Sequence, residues 1–407
     1  MTRRASTRDK TEAKPVDAIV VGGGPAGLLA ALLLAQAGAE TVLVAPPAPE
    51  DHRTTGLLAG SVAILDKAGL WSGLRPLAAP LRAIRLIDDG GRRIRGPEVL
   101  FRAAEIGLDA FGRNIANRDL VPALARAVAE TPGLRRIEEA AASIRIDGTG
   151  ATVRTAGGAS LRGRLVVGAD GRASPVRTAA GIGLRRWSYD QSALVAVLRH
   201  ERGHDDISTE IHTEAGPFTL VPMGDPLSPK GDRRSSLVWV ARPAEAAALA
   251  ALDDAALARA IGRRAGPILG AVALDGPRQV FPLSGQAARR LAVPRAALVG
   301  EAAHVVPPIG AQGLNLGFRD AAALAGVVAW ALKTGADPGA AAVMARYEAK
   351  RRGDVASRTA GVDLLNRSLL TDAAPALALR ALALQAVKRI APLRRLLMRE
   401  GIAPGGA

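Results

Sequence analysis

A glycine-rich turn near the N-terminus constrains the fold more than any other feature of this sequence. Residues 17–21 form a largely apolar, β-branched run, and Gly22, Gly24 and Gly27 follow it at the spacing G-x-G-x-x-G, directly before the helix-forming residues 28–36. In this arrangement the first glycine makes a tight turn, the second lets a pyrophosphate approach the backbone, and the third lets the helix pack closely on the strand. The pattern predicts a Rossmann-like dinucleotide-binding unit.

The second strand of that unit, predicted at residues 40–44, lacks the acidic residue that usually binds the adenosine ribose. The position is Ala45, and the nearest carboxylates are Glu50 and Asp51 a few residues later. The alanine removes the expected ribose contact but leaves the fold prediction unchanged. We assign neither carboxylate as its replacement.

Two later strands also end in a carboxylate beside a glycine. Asp170 follows the apolar residues 165–167, and Glu301 follows the apolar residues 297–299. A Pro/Gly loop comes after Glu301, and a helix predicted to start near Gln312 would direct its free N–H groups into that loop. Because open α/β sheets bind ligands at the C-terminal ends of their strands, the three loops together predict one cofactor site.

Strand-like runs with polar turns dominate residues 187–286, and we interpret them as an antiparallel sheet inserted into the nucleotide-binding unit. A hairpin with its turn at residues 89–91 is assigned to the same sheet. The predicted class is α/β: a Rossmann-like cofactor domain, an inserted antiparallel β-sheet substrate domain and C-terminal helices. The predicted limits are a disordered basic arm at 1–15, the cofactor domain at 16–80, 105–186 and 287–371, the substrate domain at 81–104 and 187–286, and a basic amphipathic tail at 372–407.

Composition excludes several kinds of site. The chain has no cysteine, which excludes disulfides, thiolate metal sites and a cysteine nucleophile, and fits a reducing compartment. The spacings of His200, His204 and His212 suit no metal site, so we expect none. The formal charge of +16 calls for an anionic partner, but with only 3% aromatic residues and no nucleic-acid-binding motif we expect no nucleic acid.

The C-terminal tail allows two interpretations. From residue 374 onward leucines are interspersed with arginines and lysines, and Pro392 divides the segment. Such helices lie on an anionic bilayer surface, or pack their apolar side on the protein body or on a partner. We favour packing on protein. The expected location is cytoplasmic, with a peripheral position at the inner membrane as the alternative.

These motifs resemble those of the group A flavin monooxygenases, the aromatic hydroxylases related to p-hydroxybenzoate hydroxylase, and most of all their ubiquinone-biosynthesis branch. The glycine turn resembles the FAD fingerprint, residues 168–171 resemble the Asp-Gly motif, and residues 300–304 with the following loop resemble the Gly-Asp motif at the flavin ribityl chain. Shorter matches are residues 51–55 and 117–120. Glu301 stands where the family usually has aspartate, which keeps the carboxylate and adds a methylene.

The resemblance implies FAD as the cofactor and NAD(P)H as a transient reductant. Reduced flavin would form a C4a-hydroperoxide with O2 and hydroxylate an aromatic ring, while the helix start at residues 312–315 would stabilise negative charge on the flavin. The implied FAD-binding residues are Gly22, Gly24, Ala26, Gly27, Arg53, Thr54, Arg118, Asp170, Glu301, Pro307, Gly310, Gly313, Leu314 and Asn315. Candidate catalytic side chains are His304 and Pro307, and we favour His304 as a loop anchor over a proton carrier.

The substrate implied by the resemblance is a lipophilic aromatic ring, a polyprenylated phenol of ubiquinone biosynthesis. The first alternative is a flavin hydroxylase of a soluble aromatic compound in catabolism or tailoring. The second, from a different class, is an FAD-binding assembly subunit of a quinone-biosynthesis complex, for which the tail would supply the contact surface.

Overall fold

The computed structural model of the chain describes residues 14–88, 97–224, 231–370 and 374–402. Nearly all of the predicted N-terminal arm and the predicted hairpin turn at residues 89–91 lie outside these residues.

The described residues form a mixed α/β structure. The strands are β1 (Val16–Val21), β2 (Thr41–Val44), β3 (Thr54–Leu58), β4 (Ala79–Pro80), β5 (Ala83–Asp88), β6 (Val99–Arg102), β7 (Gly112–Ala116), β8 (Leu134–Ile137), β9 (Ala141–Asp147), β10 (Gly150–Thr155), β11 (Ser160–Gly168), β12 (Leu184–His200), β13 (Ile207–Thr213), β14 (Gly216–Met223), β15 (Arg234–Ala241), β16 (Val272–Leu274), β17 (Gln279–Ala288), β18 (Ala292–Val293), β19 (Ala296–Leu298) and β20 (His304–Val305). The helices are α1 (Pro25–Gln36), α2 (Ala59–Lys67), α3 (Trp71–Leu74), α4 (Asn117–Glu130), α5 (Pro175–Ala179), α6 (Pro243–Ala251), α7 (Asp254–Ala265), α8 (Gln312–Lys333), α9 (Ala341–Leu370), α10 (Ala374–Arg389) and α11 (Ala391–Ile402).

The first sheet is the predicted nucleotide-binding sheet. Its strands follow the order β18-β19-β11-β1-β2-β8, and β1 pairs in parallel with both β2 and β11. The predicted meander appears as β9, β10 and β11, joined by antiparallel pairing. Because β1, β11 and β19 are neighbours, the three sequence motifs that follow them come out at one edge of the sheet. The predicted fold class is thereby confirmed.

The second sheet has nine strands, with the order β20-β17-β12-β15-β14-β13-β5-β6 and β16 beside β12. The expectation of a wholly antiparallel sheet was wrong at one pair, because β5 and β13 run in parallel. The reason is topological: β5 reaches this sheet from the segment after α3, and no hairpin connects it to β13. Strands β12 and β17 remain paired as far as Leu184 and Ala288. The pair therefore extends beyond the predicted limits of the substrate domain at residues 187 and 286.

A third, three-stranded sheet of order β3-β7-β4 contacts α8 through β3 and the nine-stranded sheet through β4 and β7. Apolar residues of α1, α8 and the parallel strands form the larger core, and α6 and α7 cover a second core on the nine-stranded sheet. Two side-chain bonds connect the small sheet to the nine-stranded one: Thr54 Oγ1 to Ser236 Oγ at 2.9 Å and Asn114 Nδ2 to the Pro222 carbonyl at 2.9 Å. The two sheets are therefore held in a fixed relation beside the cofactor loops.

Candidate functional site

The glycine turn has the geometry that its spacing predicts. Gly22 has a φ of 117°, and a Cβ built on it would lie 2.2 Å from the Ala169 carbonyl oxygen. A Cβ on Gly27 would lie 2.0 Å from the Gly22 carbonyl oxygen, so both positions exclude a side chain. A Cβ on Gly24 would meet no atom within 4 Å, and no side chain caps α1 there. The free space and the unpaired N–H groups of the helix start fit a diphosphate.

Asp170 follows β11 at the same edge of the sheet. One carboxylate oxygen accepts from the Val176 N–H at 2.9 Å. The other oxygen is buried and has no partner among the described residues. Burial raises the pKa of Asp170 above its usual value, although hydrogen bonds from neighbouring groups act against the rise. An unpaired buried acceptor at this edge suits a ligand hydroxyl.

The turn that carries Glu301 packs directly against the glycine turn. Gly300 has a φ of 63°, and Cβ atoms built on Gly300 and Gly317 would each lie 3.2 Å from the Cβ of Ala26. Ala26 is thus the point at which α1, the Glu301 turn and α8 meet. The Glu301 side chain is 53% exposed, and its Oε2 lies 3.1 Å from Arg172 Nε.

The start of α8 is tied to β3 by one side chain. Asn315 is fully buried; its Oδ1 accepts from the Leu58 N–H at 2.8 Å and its Nδ2 donates to the Gly56 carbonyl at 2.7 Å. These bonds occupy the Asn315 amide, so only its backbone is available to a cofactor. Gln312, also buried, has an Oε1 without a partner in the described part of the chain.

The remaining loop candidates stay close to this helix start. Gly310 has a φ of 63°, and Ala311, which precedes α8, also adopts a left-handed conformation with a φ of 52°. A Cβ on Gly56 would lie 3.2 Å from the Ala311 Cβ, so β3 supports the loop from behind. Around Gly313 a Cβ would meet nothing within 4 Å. Pro307 and Leu314 are the loop and helix residues on either side of this group.

Arg53 is held by a carboxylate that the sequence analysis had considered for the ribose. Its Nε and Nη2 donate to the two oxygens of Asp51 at 2.8 and 2.7 Å, and its guanidinium lies 5.4 Å from the centre of the Phe281 ring. Asp51 also accepts from Asn117 Nδ2 at 2.8 Å. Although burial acts in the opposite direction, these hydrogen bonds hold the pKa of Asp51 below its usual range. Asp51 therefore uses its carboxylate to hold the side chains of Arg53 and Asn117 in place.

The structure does not assign Glu50 to the ribose position of Ala45. Ala45 is buried, with its Cβ 2.8 Å from a Cβ built on Gly23, and Glu50 is an exposed residue beside His52. Arg118, in the first turn of α4, points its side chain into an open cleft of about 450 Å³ between α3 and α4. Its neighbour Asn117 connects this turn to Arg53, since the Asn117 N–H donates to the Arg53 carbonyl at 2.9 Å.

His304 is buried, and its Nε2 lies 2.6 Å from a carboxylate oxygen of Asp320. Asp320 in turn accepts from Arg351 Nε at 2.8 Å. This arrangement supports the anchor interpretation of His304. Neither Asp320 nor Arg351 was among the site residues predicted from the sequence. A signal existed, because Arg351 interrupts the apolar spacing of Met344, Tyr347 and Val355 on the buried side of α9.

The fold and the three loops define a flavoprotein of the dinucleotide-binding type. The chain belongs to the FAD binding domain family, which it matches over residues 15–360, and FAD is its cofactor. The resemblance drawn from the sequence motifs and the prediction of FAD are thereby confirmed. The individual cofactor contacts remain predictions.

Similar proteins were found over almost the whole chain. A ubiquinone hydroxylase, UbiL, of Rhodospirillum rubrum is 37% identical over 397 residues, covering 96% of this chain and 90% of that one. A 3-demethoxyubiquinol 3-hydroxylase of Escherichia coli is 31% identical, covering 94% and 97%. Among solved structures, p-nitrophenol 4-monooxygenase from Pseudomonas putida has a TM-score of 0.75 at 20% identity and covers 97% of this chain and 99% of its own, which shows a shared fold.

Proposed function

We propose that this protein is an FAD-dependent monooxygenase that hydroxylates the aromatic ring of a polyprenylated phenol in ubiquinone biosynthesis, with NAD(P)H as reductant and O2 as oxygen donor. The observation that carries the proposal is the end-to-end similarity to the Rhodospirillum rubrum ubiquinone hydroxylase, at 37% identity over 96% of this chain. The E. coli relative, also a hydroxylase by name, supports the same class of reaction.

In this proposal each loop holds one part of FAD. The N–H groups of α1 beside Gly24 bind the diphosphate, and the carboxylates of Asp170 and Glu301 accept hydrogen bonds from cofactor hydroxyls. The α8 amides at Gly313 and Leu314 face the flavin ring and stabilise negative charge on it. Bound flavin supplies the activation of oxygen, and the chain supplies orientation and the exclusion of water.

The substrate ring would lie between the loop at residues 307–311 and the nine-stranded sheet. The loop is supported on its far side by Gly56 and Asn315, and the sheet is fixed in relation to it by the Thr54–Ser236 and Asn114–Pro222 bonds. A rigid wall on each side would keep a bound ring in reacting geometry.

The C-terminal helices pack one side on the body of the protein and expose another side, so features of both the protein-packing and the membrane-surface interpretations are present. On the inner side, Met398 is buried against Phe111 and Ala103, and Arg394 forms an ion pair with Glu105 at 2.6 Å. On the outer side, Leu379 and Leu382 of α10 are 69% and 66% exposed. Further exposed apolar residues are Leu396 and Leu397 of α11 and Ile390 between the two helices, with Lys388, Arg389, Arg395 and Arg399 among them.

Exposed leucines interspersed with cations favour an anionic membrane surface. We therefore place the protein at the cytoplasmic face of the inner membrane, held there by α10 and α11. Among the described helices, none has the length and apolarity that a membrane span requires. Gly401, at the end of α11, accepts from Gln312 Nε2 at 3.4 Å, so this surface adjoins the start of α8. A lipophilic substrate would reach the site from the bilayer side.

Incubation of the FAD-loaded protein with a short-chain prenylated phenol, NAD(P)H and ¹⁸O₂ tests the proposal. The expected product is the hydroxylated phenol with one labelled oxygen, detected by mass spectrometry. Oxidation of NAD(P)H without label in the phenol would contradict the proposal. A phenol without a prenyl group is the matched control, because a soluble-aromatic hydroxylase would prefer it.

A further inference from the structure

The buried carboxylate of Asp320 binds both ends of the turn that carries Glu301. Asp320, on the third turn of α8, has no exposed surface. One of its oxygens accepts from the Gly300 N–H at 3.1 Å and from His304 Nε2 at 2.6 Å, and the other accepts from Arg351 Nε at 2.8 Å. Gly300 and His304 stand immediately on either side of residues 301–303, so a single side chain fixes both ends of this turn.

The outer side of the same turn is fixed by two more side chains. Arg177 Nη1 donates to the Ala302 carbonyl at 2.8 Å, and Gln286 Nε2 donates to the Glu301 carbonyl at 3.2 Å. The backbone of the turn is therefore held from two directions. The Glu301 side chain is half-exposed and extends from the turn to Arg172. Asp320 binds the Gly300 and His304 ends of the turn, whereas Arg177 and Gln286 bind its middle.

The unpaired ring nitrogen of His304 identifies its tautomer. Nδ1 is buried without a partner among the described residues, whereas Nε2 is bonded to Asp320. A proton on Nδ1 would be a buried donor without an acceptor, which costs about 1–3 kcal/mol. A proton on Nε2 satisfies the carboxylate and leaves only a weak acceptor unpaired. His304 is therefore a donor to Asp320 through Nε2.

The negative charge of Asp320 is balanced by Arg351, which is itself buried. Arg351 Nη1 donates to Asp354 at 2.7 Å, and Asp354 also accepts from Arg319 Nε at 2.8 Å. Burial acts to raise the pKa of Asp320, but His304 and Arg351 outweigh it and hold this pKa below its usual value. A buried carboxylate with three charge-assisted or oriented donors forms a stiff support, and loss of one partner from such a group is costly.

We propose that Asp320 and His304 are positioning residues for the flavin: together they fix the Gly300–His304 segment, and through Glu301 they set where the ribityl chain and the ring system lie. The proposal rests on FAD as the cofactor. It is independent of the substrate, because it concerns binding and electronic properties of the flavin in the protein without substrate. Nothing in it requires His304 to carry a proton during the reaction.

Four variants test the proposal. Asp320→Asn removes the charge and places an amide where the Gly300 N–H and His304 need an acceptor. His304→Leu removes the donor, and His304→Gln supplies an amide N–H at a similar distance from the backbone. Asp354→Asn is the matched control, since Asp354 belongs to the same charge network and makes no contact with the turn in the described structure.

The measurements are the FAD dissociation constant by fluorescence titration, the midpoint potential of bound flavin, and the melting temperature of the FAD-free protein. We expect Asp320→Asn and His304→Leu to weaken FAD binding about tenfold or more and to shift the potential, because the turn that carries Glu301 loses the contact that fixes its ends. His304→Gln should restore both values towards wild type, and Asp354→Asn should lower only the melting temperature.

Wild-type affinity and potential in Asp320→Asn and His304→Leu would overturn the proposal, as would equal changes in Asp354→Asn. If Asp320→Asn does not fold, the comparison of His304→Leu with His304→Gln decides: rescue by glutamine supports positioning through the Nε2 donor, and equal loss in both contradicts it. Failure of hydroxylation in the labelled-oxygen experiment with normal flavin affinity would count against the proposed function and leave this inference intact.

Discussion

Arg172 Nε lies 3.1 Å from Glu301 Oε2, so the loop after β11 and the turn after β19 are joined by an ion pair between side chains. Both side chains are about half exposed. An exposed pair contributes about 0–1 kcal/mol to stability, so its importance lies in orienting the Glu301 carboxylate. The longer glutamate, which replaces the aspartate usual in the family, brings the carboxylate within reach of Arg172.

The first prediction concerns this pair. Arg172→Gln should leave the free energy of unfolding of the FAD-free protein within about 0.5 kcal/mol of wild type, because the pair is solvent-screened. Glu301→Ala should weaken FAD binding about tenfold, because it removes an acceptor for cofactor hydroxyls. Glu301→Asp should bind FAD nearly as well as wild type. Urea unfolding and FAD titration check the three variants, and tight FAD binding by Glu301→Ala would contradict the assigned contact.

The second prediction separates the glycines of the turn. Gly27→Ala places a Cβ 2.0 Å from the Gly22 carbonyl oxygen and should lower the stability of the FAD-free protein by about 1–3 kcal/mol, as overpacking does. Gly24→Ala meets no atom within 4 Å and should cost little without cofactor, yet reduce FAD affinity, because the methyl group occupies the space of the diphosphate. Thermal unfolding with and without FAD measures both effects. An unchanged affinity in Gly24→Ala would place the diphosphate elsewhere.

The third prediction follows from the raised pKa of Asp170, which burial causes in the protein without cofactor. Because the folded pKa exceeds the unfolded value of 3.8, the stability contributed by the protonated group is present below that value and is lost as the pH rises through the folded pKa. At neutral pH the ionised group therefore destabilises the FAD-free protein.

Asp170→Asn should accordingly melt at a higher temperature than wild type at about pH 8 without FAD, and the difference should shrink as the pH is lowered towards about pH 4. The same variant should bind FAD about tenfold more weakly, since it loses a charged acceptor. Melting curves over this pH range test the first part. A difference that grows at low pH would show that the sign of the pKa shift is wrong.

The fourth prediction concerns the outer surface of the tail. Replacing Leu379, Leu382, Leu396 and Leu397 by glutamine should reduce binding to phosphatidylglycerol-containing vesicles by about tenfold or more, because each apolar side chain contributes on the order of 1 kcal/mol when buried. The melting temperature should stay near that of wild type, because these side chains are exposed. Leu77→Gln, at an exposed position three residues after α3, is the control. Equal vesicle binding by all variants would remove the membrane role.

The sequence predicted those parts of the structure that depend on local pattern. The glycine turn, the strand that ends before Asp170 and the helix that starts at Gln312 each carry their own turn chemistry, and all three appear where expected. The predicted division of the tail near Pro392 also appears, because α10 ends at Arg389 and Pro392 lies in the first turn of α11, where its missing N–H costs nothing.

Contacts between segments that are distant in sequence could not be predicted from local sequence patterns. The parallel pairing of β5 with β13 joins residues more than a hundred positions apart, and the use of the Asn315 side chain to hold β3 depends on how α8 packs. Asp51 follows the expected ribose position by a few residues in sequence, yet its carboxylate accepts hydrogen bonds from Arg53 and Asn117. Side-chain partners of this kind follow from packing and not from spacing.

The most direct test of the central claim is the lipid content of a strain that lacks this protein. We expect the strain to lose ubiquinone and to accumulate a polyprenylated phenol that lacks one ring hydroxyl, and we expect the wild-type protein to restore ubiquinone. The Gly24→Ala variant should restore it poorly if FAD binding is required. Normal ubiquinone and no such intermediate in the deletion strain would contradict the claim.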